Sequence, residues 1–307
     1  MKVLVTGASG YVGAALAPRL QAAGHDVRAF GRDAGRIAAA GVDTRDVVLG
    51  DALTGAGLDE ALDGVDVAYY LIHSMEPGGE AFPARERRSA EHFAAAAARA
   101  GVRRVVYLGG LVPADAPPSA HLSSRLDVER VLLGSAPESV ALRASIVIGA
   151  RSRSFRFLVR LVERVPVMPL PSWRDNRTQP IDGRDVLAFL LAAGTSDAVR
   201  GPLSLDIAGP DVVTYGELVE RIRDALLLGR PRLNLGFSLT PVASVVAAAI
   251  AGEDHALIGP LMEGLATDLL PRDGSAAALL GVRLHRLDAA IERSLREWER
   301  VEELAGR

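Results

Sequence analysis

Three observations in this chain of 307 residues predict an α/β protein built on a doubly wound parallel sheet. Short β-rich runs alternate with Ala- and Leu-rich stretches of helical spacing through the first 150 residues. Several of those runs are apolar throughout, as a strand covered on both faces must be. A glycine-punctuated turn joins the first run directly to the first helical stretch.

In order, strands are expected at Lys2–Thr6, Asp26–Phe30, Arg45–Leu49, Val65–Leu71, Arg103–Leu108 and Val140–Ile148. Helices are expected at Val12–Ala23, Arg85–Ala100 and Ser123–Leu133, with Gly24, Gly64 and Gly101 as stops. Beyond Gly149 the pattern loosens. A basic run spans Arg151–Arg164 and leads to a loop punctuated by Pro166, Pro169 and Pro171. A helix at Asp182–Ala193 and a strand at Leu203–Ile207 follow. The remainder reads as mainly helical, at Tyr215–Leu228, Pro241–Ala251, Ala256–Asp268 and Leu287–Leu304. Residues 1–150, with 178–208 returning to them, are expected to form one domain. Residues 209–307 with 151–177 form a smaller one on the substrate side.

Composition narrows the function. Hydrophobic residues at 49% and charged residues at 24% are ordinary globular usage, which rules out disorder and fibrous repeats. Lys plus Arg at 35 against Asp plus Glu at 38 gives a net charge of −3, so no general attraction to nucleic acid is expected. The absence of cysteine excludes disulfides, thiolate nucleophiles and cysteine-held metals. Six histidines without an HExxH or His-x-His pair make a metal enzyme unexpected. No export signal precedes the first strand, which points to a cytoplasmic protein. Leu233–Gly252 is uncharged for twenty residues, long enough for a bilayer. It also holds Asn234, Thr240 and Pro241, so a buried helix, the wall of a pocket for a small hydrophobic substrate, or a homodimer interface is expected in place of a membrane span.

The turn Thr6-Gly7-Ala8-Ser9-Gly10-Tyr11-Val12-Gly13 carries the strongest chemical signal. Gly7 permits a tight turn, Gly10 lets backbone approach a pyrophosphate, and Gly13 allows helix and strand to pack closely. A diphosphate would rest on the helix N-terminus. This is the Rossmann-type dinucleotide site, with Ser9, Tyr11 and Val12 lining it. Arg32 ends the second strand, where an acidic residue would select NAD and an arginine favours the 2′-phosphate of NADP. Arg36 lies one helical turn on, so NADP(H) is the expected cofactor. Asp33 competes as a ribose ligand, and Arg32 has an alternative as a solvated helix-start residue. Asp51, followed by Ala52, either meets the adenine amino group or caps the following helix. Leu71, Gly109 and Ser145, at the ends of later strands, complete the expected cofactor crevice.

These segments resemble the atypical short-chain dehydrogenase/reductase superfamily, most nearly its NmrA-like and YbjT-like members. The resemblance covers most of residues 1–210, including VVYLGGL at Val105–Leu111, HLSSRLDVE at His121–Glu129, LRASIVIG at Leu142–Gly149 and QPIDGRDV at Gln179–Val186. It implies a Tyr-x-x-x-Lys pair on the helix after strand five and a hydroxyl near that strand's end. Here the pair reads His121 and Arg125, and the hydroxyl position falls on Gly109-Gly110. Arg125 could anchor a ribose but cannot release a proton near neutral pH. His121 or His73 could relay one, although either could instead be structural. Tyr70 and Tyr107 read as core. The leading expectation is an NADP(H)-dependent oxidoreductase acting on a small apolar carbonyl or conjugated substrate. A non-catalytic dinucleotide sensor or assembly protein and a nicotinamide-dependent epimerase or isomerase are the alternatives.

Overall fold

The computed structural model describes residues 1–43, 45–73, 82–234 and 264–304. Its centre is a parallel sheet of seven strands: β1 (Lys2–Thr6), β2 (Asp26–Gly31), β3 (Val47–Leu49), β4 (Val67–Tyr70), β5 (Arg104–Gly110), β6 (Val140–Ala144) and β11 (Leu203–Ile207). Their spatial order is β3-β2-β1-β4-β5-β6-β11. The order reverses between β1 and β4, which opens a crevice beyond the carboxyl ends of those strands.

The pleat sorts each strand's side chains onto two cores. Val3 and Val5 of β1, Tyr69 of β4 and Val106 of β5 face α1 (Tyr11–Ala22) and α7 (Gly183–Thr195). Leu4, Tyr70, Val105 and Tyr107 face the opposite layer of α3 (Leu58–Leu62), α4 (Phe82–Arg99) and α5 (Ala120–Leu133). Burial on both sides is why these strands read as continuous apolar runs. A short helix, α2 (Ala34–Ala39), follows β2.

A third core gathers residues from Ile148 onward. It joins α6 (Arg153–Arg164), α8 (Tyr215–Ala225) and α10 (Leu287–Glu299), while α9 (Ser275–Leu280) packs under the main sheet beside β11. Three small ladders accompany it. β7 (Val147–Ile148) pairs with β10 (Ile181–Asp182), β9 (Arg177–Thr178) with β12 (Val213–Thr214), and β8 (Met168–Leu170) with β13 (Arg232–Asn234).

One expectation is corrected, and one segment left without an assignment is filled in. The run Val140–Ile148 is two strands, because at Ser145 the backbone N–H turns to the Ile207 carbonyl and the chain leaves the main sheet. The basic run Arg151–Arg164 is largely a helix, with Phe155, Leu158, Val159 and Val162 on its buried stripe. The expected helix Pro241–Ala251, most of Ala256–Asp268, and all but the first two residues of the uncharged stretch lie outside the described residues. Among those described, no helix is long and apolar enough to cross a membrane.

Candidate functional site

Geometry at the glycine turn is tight enough to test the residues one by one. Gly7 has φ +63°, and a Cβ there would sit 2.6 Å from the Leu71 carbonyl oxygen. A Cβ on Gly13 would lie 2.4 Å from the Gly7 carbonyl oxygen, so strand and helix meet only through glycine. The Gly10 N–H donates to that same carbonyl at 2.9 Å. Thr6 ties the strand ends together: its hydroxyl donates to the Tyr69 carbonyl at 3.0 Å and accepts from the Leu71 N–H at 3.1 Å. Gly10 caps α1 without a side chain, and the first turn holds no acidic residue, so the helix N-terminus is left for an external anion.

That N-terminus opens into a cleft of about 790 Å³. Gly7, Ser9, Gly10, Tyr11, Val12, Gly13, Leu71 and Ser145 all line it, as do Arg32, Arg36, Asp51 and Ala52 at the end beyond β2 and β3. The glycine cradle and the uncapped helix fit a dinucleotide. Asp33 is committed as the cap of α2, accepting the Arg36 N–H at 3.0 Å, while Arg32 and Arg36 are exposed on the cleft wall. Asp51 closes a turn rather than a helix: its Oδ1 accepts from the Leu53 N–H at 2.9 Å, and α3 is capped by Gly57.

At the other end stands a polar cluster. His73 Nδ1 lies 2.9 Å from Glu86 Oε1, and Glu86 Oε2 accepts from the Ser124 hydroxyl at 3.0 Å. Arg125 reaches His73 at 3.2 Å and Glu86 at 3.5 Å, donates to the Leu108 carbonyl, and covers the Tyr107 ring at 5.0 Å. Burial would raise the Glu86 carboxyl. The His73 bond, the Arg125 charge and the Ser124 bond outweigh it and hold the group below its usual value. Burial and Arg125 depress His73, with Glu86 opposing them. Glu86, the nearer partner and an acceptor when ionised, draws the proton onto Nδ1; the Arg125 contact at the same atom is then an electrostatic one and not a hydrogen bond.

Three of the candidate residues are not among those that line the cleft. Arg125 is engaged by Leu108, Glu86 and Tyr107 and is not among the described residues that line the cleft. His121 packs on Phe82 (ring centroids 5.8 Å) and His73 (5.4 Å), away from the cleft wall. Burial, with His73 and Arg125 beside it, pushes its imidazole down to about 4. Gly109 also stands back from the cleft, its α-carbon packed under Tyr107. His73 does line it.

Glu86 escaped the sequence reading because it sits in an arginine-rich stretch that looks solvated. The signal was its spacing: Glu86, Ser89, Ala90, Phe93, Ala96 and Ala97 form one buried stripe, and a carboxylate on such a stripe needs a partner. Arg85, Arg151 and Arg153 also line the cleft; the last two belong to the basic run, read as a solvated face with a bound acidic ligand as the lesser alternative, and Arg85 was not singled out. The rest of the basic run turns elsewhere, since Arg156 and Arg160 lie over the Trp298 ring. Trp173 is buried against Tyr215.

A parallel sheet with a glycine cradle at its switch point defines a dinucleotide-binding α/β protein. Known proteins agree. A family model described as NAD(P)H-binding matches residues 7–145. The (4-alkanoyl-5-oxo-2,5-dihydrofuran-3-yl)methyl phosphate reductase of Streptomyces griseus is 30% identical over 235 residues, covering 75% of this chain and 74% of that protein. Subunit 9 of the mitochondrial NADH dehydrogenase 1 alpha subcomplex of Arabidopsis thaliana is 27% identical over 148 residues, which is 48% of this chain and 36% of that protein. The chain belongs to the atypical short-chain dehydrogenase/reductase superfamily of NAD(P)-binding proteins. Its fold is shared by a Bacillus cereus UDP-glucuronic acid 4-epimerase solved with UDP-glucuronic acid and NAD (TM-score 0.73, 17% identity, 98% of this chain and 100% of that one). It is also shared by an Agrobacterium tumefaciens short-chain dehydrogenase/reductase superfamily protein with bound NAD (TM-score 0.69, 18% identity, 98% and 97%).

Proposed function

We propose that the protein is an NADP(H)-dependent oxidoreductase acting on a small conjugated carbonyl compound. The observation that carries this reading is one cleft with Arg32 and Arg36 beside the end of β2 and His73, bonded to Glu86, at the other end. A bound reduced nicotinamide supplies the hydride. The chain's part is to orient both molecules and to manage one proton.

Asp33 also lines the cleft, with its Oδ1 capping α2, but Arg32 and Arg36 put two cationic side chains on the wall there against its one carboxylate, which favours a 2′-phosphate. Reduction of a conjugated C=C consumes a hydride at the β-carbon and a proton at the α-carbon. The electron pair rests on the carbonyl oxygen in between, so water can supply the proton and no tyrosine is required. Glu86 fixes the His73 tautomer and leaves Nε2 to exchange protons with that water. The Streptomyces griseus relative supports this chemistry, because the substrate in its name holds a ring C=C conjugated to carbonyl groups.

Titration of cofactor-stripped protein with NADPH, NADP⁺ and NADH, alongside Arg32→Ala, tests the reading. NADPH should bind more tightly than NADH. The variant should lose about tenfold in NADPH affinity, the worth of one charge-assisted hydrogen bond, with NADH unchanged. Failure of all three to bind would overturn it. A non-catalytic dinucleotide sensor is the second reading, favoured by the bare Gly109-Gly110 and the withdrawn Arg125. It predicts bound NADPH that no conjugated carbonyl oxidises.

A further inference from the structure

Cationic groups line the cleft at both ends. Arg32 and Arg36 answer to the adenosine end of the cofactor, and the α1 N-terminus to its diphosphate. A second cluster stands beyond β6: Arg151 and Arg153 at the start of α6, with Arg85 of α4 also on the wall. From this the geometry points to a substrate carrying a phosphate group, held by Arg151, Arg153 and the N-terminus of α6. The inference rests on the dinucleotide reading above and adds the substrate's class.

Four observations support it. Ser152 caps α6 without a side-chain hydrogen bond, and no acidic residue occupies the first turn of that twelve-residue helix, so its leading N–H groups are offered outward. Arg151 and Arg153 are exposed, and among the described residues neither pairs with a carboxylate, unlike Arg156 and Arg160 on the same run, which reach Glu302. Ser145 lines the same cleft, is 5% exposed, and keeps a buried hydroxyl without a partner among the described residues, which a bound ligand would supply. Arg153 also stands close enough to His73 for its charge to act on the imidazole, so an anion seated there lies beside the proton-handling group.

Two guanidinium groups and a helix N-terminus suit a phosphate monoester better than a carboxylate, because they offer more donors than two oxygens can use. No bond to phosphorus is made or broken in the proposed reaction. The phosphate serves as a handle whose binding energy orients the reacting carbons.

The test is a calorimetric titration of the NADPH-saturated protein with butyl phosphate and with inorganic phosphate, repeated on Arg151→Gln/Arg153→Gln. Both side chains are exposed, and circular dichroism would verify that the variant is folded. Butyl phosphate should bind, and the double variant should weaken it about tenfold or more while NADPH affinity stays within about threefold. Equal binding by both proteins, or none by the native one, overturns the subsite. A tenfold loss of NADPH affinity with butyl phosphate unaffected assigns the cluster to the cofactor's diphosphate and also overturns it. If NADPH itself fails to bind, the dinucleotide reading falls. The phosphate titration on the unliganded protein then still decides the subsite by the same variant comparison.

Discussion

Arg104 shows how much one side chain can hold. It is 2% exposed, and its guanidinium donates to Glu138 through Nε and Nη2, to the Ala193 and Ser196 carbonyls through Nη1, and to the Val199 carbonyl through Nη2. All five N–H donors are used, and three of the acceptors are carbonyls in or just past the last turn of α7, where positive charge is favoured. Lysine has three donors in a different geometry. Arg104→Lys should cost about 2–4 kcal/mol through unpaired buried carbonyls, read as a lower urea midpoint with an unchanged slope. His121 gives a pH signature. Its folded pKa of about 4 lies below its unfolded value of 6.5, so the unfolded chain takes up the proton first as pH falls. Stability from this group is complete above pH 6.5 and declines toward pH 4, by up to roughly 3 kcal/mol. Denaturation midpoints across that window should flatten in His121→Phe.

The first six strands were legible to within about two residues at most ends, because burial on both faces writes an apolar run into the chain. Later elements were not. β7, β9, β10 and β12 are two residues long and carry no periodicity to read. α6 was readable in principle: Arg153, Arg156, Arg160 and Arg164 recur at helical spacing opposite Phe155, Leu158, Val159 and Val162. What hid it was the arginines' destination, since Arg156 and Arg160 lie 4.4 and 4.8 Å from the centre of the Trp298 ring on α10. The cofactor half of the site was legible because glycine spacing reports backbone geometry directly. The polar cluster was not, because it depends on Glu86 of α4 meeting Ser124 and Arg125 of α5 through tertiary packing. Trp298 is 1% exposed, and Trp298→Ala should destabilise the protein by about 3–5 kcal/mol, measurable by chemical denaturation.

The three cores share the cleft between them, so filling it should stabilise the entire molecule. At a hundredfold excess over its dissociation constant, NADPH should add about 2.7 kcal/mol and raise the melting temperature by several degrees, with a smaller rise for NADH at the same concentration. Differential scanning fluorimetry would read both. Equal shifts would weaken the NADP assignment without touching the fold. Close contacts also couple distant parts of the chain. A Cβ on Gly194 would meet the Tyr69 hydroxyl oxygen at 1.9 Å, and Cβ atoms on Gly149 and Gly183 would come within 2.0 and 2.5 Å of that of Tyr11. The phenol of Tyr11, at the first position of α1, is thus keyed into backbone made well over a hundred residues later. For a chain emerging vectorially from the ribosome, the phosphate loop appears first but its helix is seated late. A nascent chain halted within α6 would display every glycine of the turn and still lack the Gly183 side of the socket that holds it. Ligand capture would therefore wait on a segment made well over a hundred residues after the turn itself.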